Sequence, residues 1–163
     1  MIDEEPSDWN VLRTRSRQEK VVEKTLVQKQ IFVYLPKLPR MSGGKKIETP
    51  LFPGYIFVKP NVDQLYSMNF IPGTCGMIMH RGQPGIVQER ELRSIRQIVE
   101  SNVPYDLHMG LLPGLLVSVT KGPLAGVQGE LVRFKGSQRL VINALILGQA
   151  VSVELNAFDV VAV

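Results

Sequence analysis

Leu51-Phe52-Pro53-Gly54-Tyr55-Ile56-Phe57-Val58 is the richest strand signal in the chain. Its aromatic and β-branched content suits a pleated, half-buried surface, and the Pro53-Gly54 pair inside it predicts a bulge or kink. Such a break changes which way the neighbouring side chains point. It can leave an aromatic half exposed in a concave apolar surface that a helical tip on a partner would fill. Tyr55 offers apolar area and a hydroxyl together, as interface anchors do. On pattern alone, Phe52 and Tyr55 read better as core residues, because aromatic strand residues are usually buried.

Upstream, residues 9–14 read as a strand, with Trp9 and Val11 on alternating positions. Ser16 and Glu19 have the spacing of a capping box, which predicts a helix over 17–30. Its apolar face is Val21, Val22, Leu26 and Val27, and its other face carries Arg17, Lys20, Lys24 and Lys29. Residues 31–35 form a strand closed by Pro36 and Pro39, and 41–46 form a flexible basic turn. Downstream, Asp63 starts a short helix through Tyr66 and Met68. A strand at 75–79 follows, and then a helix over 88–101 with Leu92, Ile95, Ile98 and Val99 inward. Strand, helix, strand, strand, helix, strand, helix is the order of a split βαβ (ferredoxin-like) sandwich of antiparallel sheet and helices.

Residues 103–113 contain Pro104, Gly110 and Pro113 and no long periodicity, which marks a linker. Beyond it, short strands at 115–120, 129–134, 139–145, 150–154 and 158–161 predict a small closed five-stranded β-barrel. The expected organisation is therefore α+β. It comprises a disordered acidic tail at 1–8, one domain at 9–102, the linker, and a second domain at 114–163.

The 163 residues suffice for one modest domain or two small ones. The apolar run 141–147 is too short to span a bilayer, and the acidic start lacks the basic and apolar segments of a signal peptide. The expected location is cytoplasmic. Cys75 has no second cysteine, and His80 and His108 lack a third ligand, so no metal or cofactor is expected. No phosphate-binding loop, Gly-x-Ser-x-Gly or Cys/His pair is present, so the chain is not expected to be an enzyme. Between Arg13 and Lys46 there are ten Lys/Arg against two Asp/Glu. Arg15, Arg17, Lys20, Lys24, Arg40, Lys45 and Lys46 are the candidates there for sequence-independent contact with phosphates, against the alternative of a solvated basic face.

The second specific segment is Lys121-Gly122-Pro123-Leu124-Ala125-Gly126-Val127-Gln128-Gly129-Glu130-Leu131. Together with 51–58 it resembles the NusG family of transcription elongation factors, with an N-terminal NGN domain and a C-terminal KOW domain of SH3-like type. The match is colinear over nearly the whole chain. It includes Trp9, Gln83-Pro84-Gly85-Ile86-Val87, Arg139-Leu140-Val141 and Val151-Ser152-Val153-Glu154-Leu155. The resemblance implies that the NGN domain binds the RNA polymerase clamp and suppresses pausing or termination. Phe52, Pro53, Gly54 and Tyr55 fall on the family's clamp-binding motif, with Trp9 beside them; Phe52 stays open between that role and the core. The resemblance also implies contact with non-template DNA or nascent RNA. Ser67 and Asn69 occupy the place of a second polymerase contact, although the letters differ from the family's and a solvated helix end fits them better.

Lys121, Gly122, Pro123, Gly126 and Gly129 carry the KOW motif, where glycines permit positive φ or close chain approach. The KOW domain of the family recruits the termination factor Rho or the ribosomal protein NusE. Ile146 and Leu147 lie at the docking position, and Leu147 replaces the usual aromatic, which counts against Rho more than against NusE. The short hairpin segment and the Leu51–Tyr55 wording resemble specialised antiterminators of the RfaH, UpxY and LoaP type. A monomer is expected. The alternative reading is a ribosome-associated or RNA-binding KOW protein, which would bind structured RNA without polymerase and with steep salt dependence.

Overall fold

The computed structural model describes residues 9–156 and 159–163. The expected acidic tail at 1–8, and Phe158 at the head of the last expected strand, lie outside them. By compactness the chain divides after Glu89 into two units.

The first unit runs β1 (Asn10–Thr14), α1 (Glu19–Gln28), β2 (Phe32–Tyr34), β3 (Lys37–Ser42), β4 (Lys45–Pro50), β5 (Tyr55–Lys59), α2 (Val62–Leu65), a 3-10 turn (Tyr66–Phe70), β6 (Thr74–Met77), β7 (Met79–His80) and β8 (Gln83–Pro84). Its main sheet is antiparallel in the order β2-β5-β1-β6. β1 and β2 are joined through α1 yet separated by β5, which is the split connection. Val22 and Leu26 of α1 pack on Leu12, Ile56 and Val58, so one face of the sheet is sealed by that helix.

Three local expectations change. The Ser16–Glu19 capping box does not form: α1 starts after Gln18 with no side-chain cap, behind Arg17 at φ 62°. The capping box that does form belongs to α2, between Asn61 and Gln64, so the cap is Asn61 and not Asp63. Residues 41–46, expected as a flexible turn, are instead the end of a paired hairpin, with Arg40 opposite Ile47 and Met41 opposite Lys46. The reversal falls on Gly43-Gly44, both at positive φ.

The second unit holds α3 (Glu89–Glu100, of which the unit takes Arg90 onward), β9 (Tyr105–His108), β10 (Leu115–Val119), β11 (Gln128–Phe134), β12 (Ser137–Ala144), a 3-10 turn (Leu145–Leu147), β13 (Gln149–Glu154) and β14 (Val160–Ala162). Among the described residues no closed barrel is seen. The sheet has six strands in the order β14-β10-β11-β12-β13-β9, and it is open between β14 and β9. The sixth strand comes from the segment expected as linker. β9 pairs with β13 from Ala150↔His108 to Val153↔Tyr105. Arg139 bonds Asp106 and Ser152, and the Ser152 hydroxyl lies 2.7 Å from His108 Nε2. Asn143 then brackets Leu112 with a pair of amide bonds, and Glu130 accepts the Gly114 N–H. With these partners, 105–114 is bound chain and not a free tether.

Polar residues of α3 also contact this sheet. Arg90 donates to the Gln128 side chain, and Gln97 donates to the carbonyls of Pro123 and Ala125.

Candidate partner-docking site

The stretch 51–58 is not a kinked strand. Tyr55 N–H donates to the Phe52 carbonyl at 3.1 Å, with Pro53 and Gly54 at the two central positions and Gly54 at φ 86°. This is a type II turn, for which proline then a positive-φ glycine is the preferred pair. β5 begins only after it, at Tyr55.

The Gly54 peptide is gripped on both sides. Its carbonyl accepts from Thr14 N–H at 2.9 Å, and its N–H donates to Glu19 Oε1 at 2.8 Å. Glu19 is 6% exposed. Sequence reasoning gave Glu19 to a capping box; the only available signal was an acid at the head of a helix, which suits either use.

Side-chain alternation along β5 then sorts the aromatics. Ile56 and Val58 face α1, so Tyr55, Phe57 and Lys59 lie on the opposite face. Their cross-strand partners there are Arg13, Val11, Tyr34 and Phe32. Phe52 packs edge-on against Phe57 at 6.1 Å, and Tyr34 stacks on Phe57 at 6.4 Å. Phe52 is 1% exposed, so it is the floor of this strip and has no surface to offer a partner. Tyr55 and Tyr34 are half-buried and Phe32 is exposed, which gives a graded apolar rim. Tyr34 and Phe32 were missed in the sequence because their short strand showed its orientation only once paired.

Trp9 is also buried. Its indole N–H donates to Glu89, and Lys59 lies over its ring and pairs with Glu89 at 3.4 Å. It braces the first unit and is not an open contact. Pro53 is exposed at the turn.

The proposed phosphate contacts, Arg15, Arg17, Lys20, Lys24, Arg40, Lys45 and Lys46, are all exposed. Lys20 is engaged with the Glu48 carbonyl, and Lys37 of β3 pairs with Glu23 of α1 at 2.8 Å. These two ties hold the base of the hairpin to α1. Ser67 and Asn69 are exposed but occupied: Ser67 donates to the Gln64 carbonyl, and Asn69 accepts the Met77 N–H.

In the second unit Gly122 and Gly126 have positive φ in open space, whereas Gly129 is required by close approach. A Cβ there would lie 2.6 Å from the Val141 carbonyl oxygen. Lys121 is exposed, and the Pro123 carbonyl is taken by Gln97. Ile146 and Leu147 are half-buried, while Leu145 beside them is 67% exposed. The Leu145 backbone also hydrogen-bonds Glu91, whose pKa burial pushes up to about 7. Among the described residues no cluster of three or more metal-ligating side chains occurs, and no helix is long and apolar enough to cross a membrane.

A family model, NusG, described as "Transcription termination factor nusG", matches residues 7–96. The chain belongs to the NusG family. The "Transcription termination/antitermination protein NusG" of Rickettsia prowazekii is 27% identical, over 91% of this chain and 86% of its own length. That of Pseudomonas aeruginosa is 28% identical, over 90% of this chain and 93% of its own. The solved structure described as "Domain interaction in Thermotoga maritima NusG" matches with a TM-score of 0.52 at 21% identity. It covers 96% of this chain and 97% of that one, and supports the fold alone. As a NusG-type transcription factor, the chain is a non-catalytic regulator.

Proposed function

We propose that this NusG-type factor docks on the RNA polymerase clamp through the Pro53-Gly54-Tyr55 turn and the aromatic strip behind it, and so suppresses pausing or termination. The observation that carries the reading is Tyr55. It is half-buried on the sheet face opposite α1, at the exit of a turn whose peptide is held at both ends. An aromatic anchor with a pre-set backbone loses little freedom on binding, and truncating such an anchor typically costs about 2 kcal/mol or more. Phe52 serves this surface from beneath by packing on Phe57, and Trp9 braces the unit through Glu89 and Lys59.

The exposed lysines and arginines of α1 and the β3–β4 hairpin suit the phosphates of non-template DNA or nascent RNA. Ser67 and Asn69 are the weaker candidates for a second polymerase contact, since both side chains already have partners. In the second unit, the turn of Leu145, Ile146 and Leu147 is the place for a partner of the NusE kind, with Rho disfavoured by the missing aromatic. The short β3–β4 hairpin and the Leu51–Tyr55 wording support a specialised antiterminator of the RfaH, UpxY and LoaP type.

The test is binding of the full chain to core RNA polymerase, wild type against Tyr55→Ala, with melting curves compared. Tight wild-type binding, weakened at least about thirtyfold in a variant that melts normally, is expected. A wild type that ignores polymerase and binds structured RNA instead would replace this reading with the RNA-binding one.

A further inference from the structure

We infer that Glu19 is a positioning residue for polymerase docking, acting through the Gly54 amide to fix Tyr55; the inference rests on the docking reading above. A carboxylate removed from water is costly unless its acceptor capacity is used. Glu19 is 6% exposed, and the partner its side chain has across the fold is the Gly54 N–H at 2.8 Å. The position at the head of α1 helps to carry the charge, because the unpaired N–H groups of a helix start favour an anion there. Gly54 needs that acceptor. The single intraturn bond, from Tyr55 N–H to the Phe52 carbonyl, leaves the Gly54 N–H pointing away from the turn.

The geometric consequence falls on Tyr55. The Thr14 and Glu19 bonds fix the plane of the peptides flanking Gly54, and a glycine at φ 86° has otherwise the widest freedom of any residue. Rotation of these peptides would re-aim the first residue of β5, which is Tyr55. Glu19 also joins two elements 35 residues apart, so α1 and the docking turn move as one piece. A hydrogen bond that narrows the free ensemble to the docking conformation raises affinity with no contact to the partner.

The test compares Glu19→Gln, which keeps a side-chain acceptor, with Glu19→Leu, which fills the space and offers none. Affinity for core RNA polymerase and amide exchange of Gly54 are both measured in the full chain. The expected result is Glu19→Gln within about threefold of wild type and Glu19→Leu weaker by about tenfold or more. The Gly54 amide should be protected in the first and exchange freely in the second. Should the leucine variant not fold, Glu19→Asp takes its place: its carboxylate is shorter by one methylene, and it is expected to lose both affinity and Gly54 protection. A folded leucine or aspartate variant with wild-type affinity overturns the inference, as does a Gly54 amide already unprotected in the wild type. Tyr55→Ala in the same series separates the two claims. Loss of binding there with none in the Glu19 variants leaves the docking reading standing and removes Glu19, whereas a wild type that does not bind removes both.

Discussion

Glu91→Gln should erase a pH dependence that the second unit otherwise carries. Glu91 lies in the first turn of α3, and one of its carboxyl oxygens is buried without a partner among the described residues. Burial is the dominant influence and pushes its pKa from 4.5 to about 7, against the Leu145 backbone hydrogen bond and the neighbouring Arg90 charge, which both lower it. A folded pKa above the unfolded one means the folded unit holds the proton more tightly. The resulting stability is complete below pH 4.5, declines as pH rises, and is lost above about 7. A shift of that size corresponds to roughly 3 kcal/mol, and solvent screening of this partly exposed group reduces it to roughly 2 kcal/mol. Glutamine is neutral throughout, so the variant should match the wild type near pH 4.5 and exceed it by about 2 kcal/mol at pH 8. Urea unfolding of the full chain, read by circular dichroism at closely spaced pH values, measures the difference between the two proteins, in which the other titrating groups cancel. A difference that stays flat from pH 5 to 8, or that grows toward acid, would refute the reasoning.

Two further outcomes follow from the geometry. Gly129→Ala should destabilise the chain by about 1–3 kcal/mol, because the Val141 carbonyl and the Ile142 side chain cannot both retreat from a new Cβ. Gly126→Ala, strained only by its φ of 88°, should cost less, and equal melting temperatures for the two would count against the close-approach argument. Replacing Lys45 and Lys46 by alanine should lower the salt dependence of single-stranded DNA binding by about 0.7 in slope for each lysine that meets a phosphate. An unchanged slope would leave the hairpin as a solvated basic arm.

The first unit was legible because its signals are local. Val22 and Leu26 show the helical period and the strands at 9–14 and 55–58 alternate, whereas the β3–β4 hairpin was not legible, because its Gly43-Gly44 turn and lysines read as a flexible basic turn. What failed there was assignment among equivalents. An acid three residues after a serine satisfies a capping pattern, yet Arg17 in a left-handed conformation breaks the geometry that a capping box needs, and Glu19 is released to Gly54. Similarly, Pro-Gly within a strand-like run suits a bulge or a type II turn. The choice was made by two residues far away in sequence: Thr14, whose N–H donates to the Gly54 carbonyl, and Glu19, which accepts the Gly54 N–H.

The open sheet of the second unit has a different lesson. Counting strands by β-branched runs predicted five and a closed barrel, because 103–113 holds two prolines and little periodicity. Tyr105-Asp106-Leu107-His108 is nevertheless a strand, and its cause is specific pairing: Asp106 meets Arg139, His108 meets Ser152, and the backbone completes the β13 edge. An edge left bare at β13 would be a row of unpaired donors and acceptors, and β9 covers it from Ala150↔His108 to Val153↔Tyr105. The same substitution of partners accounts for the lack of closure among the described residues. With β13 already paired on both sides, by β12 and β9, it has no free edge left for β14, which among the described residues pairs with β10.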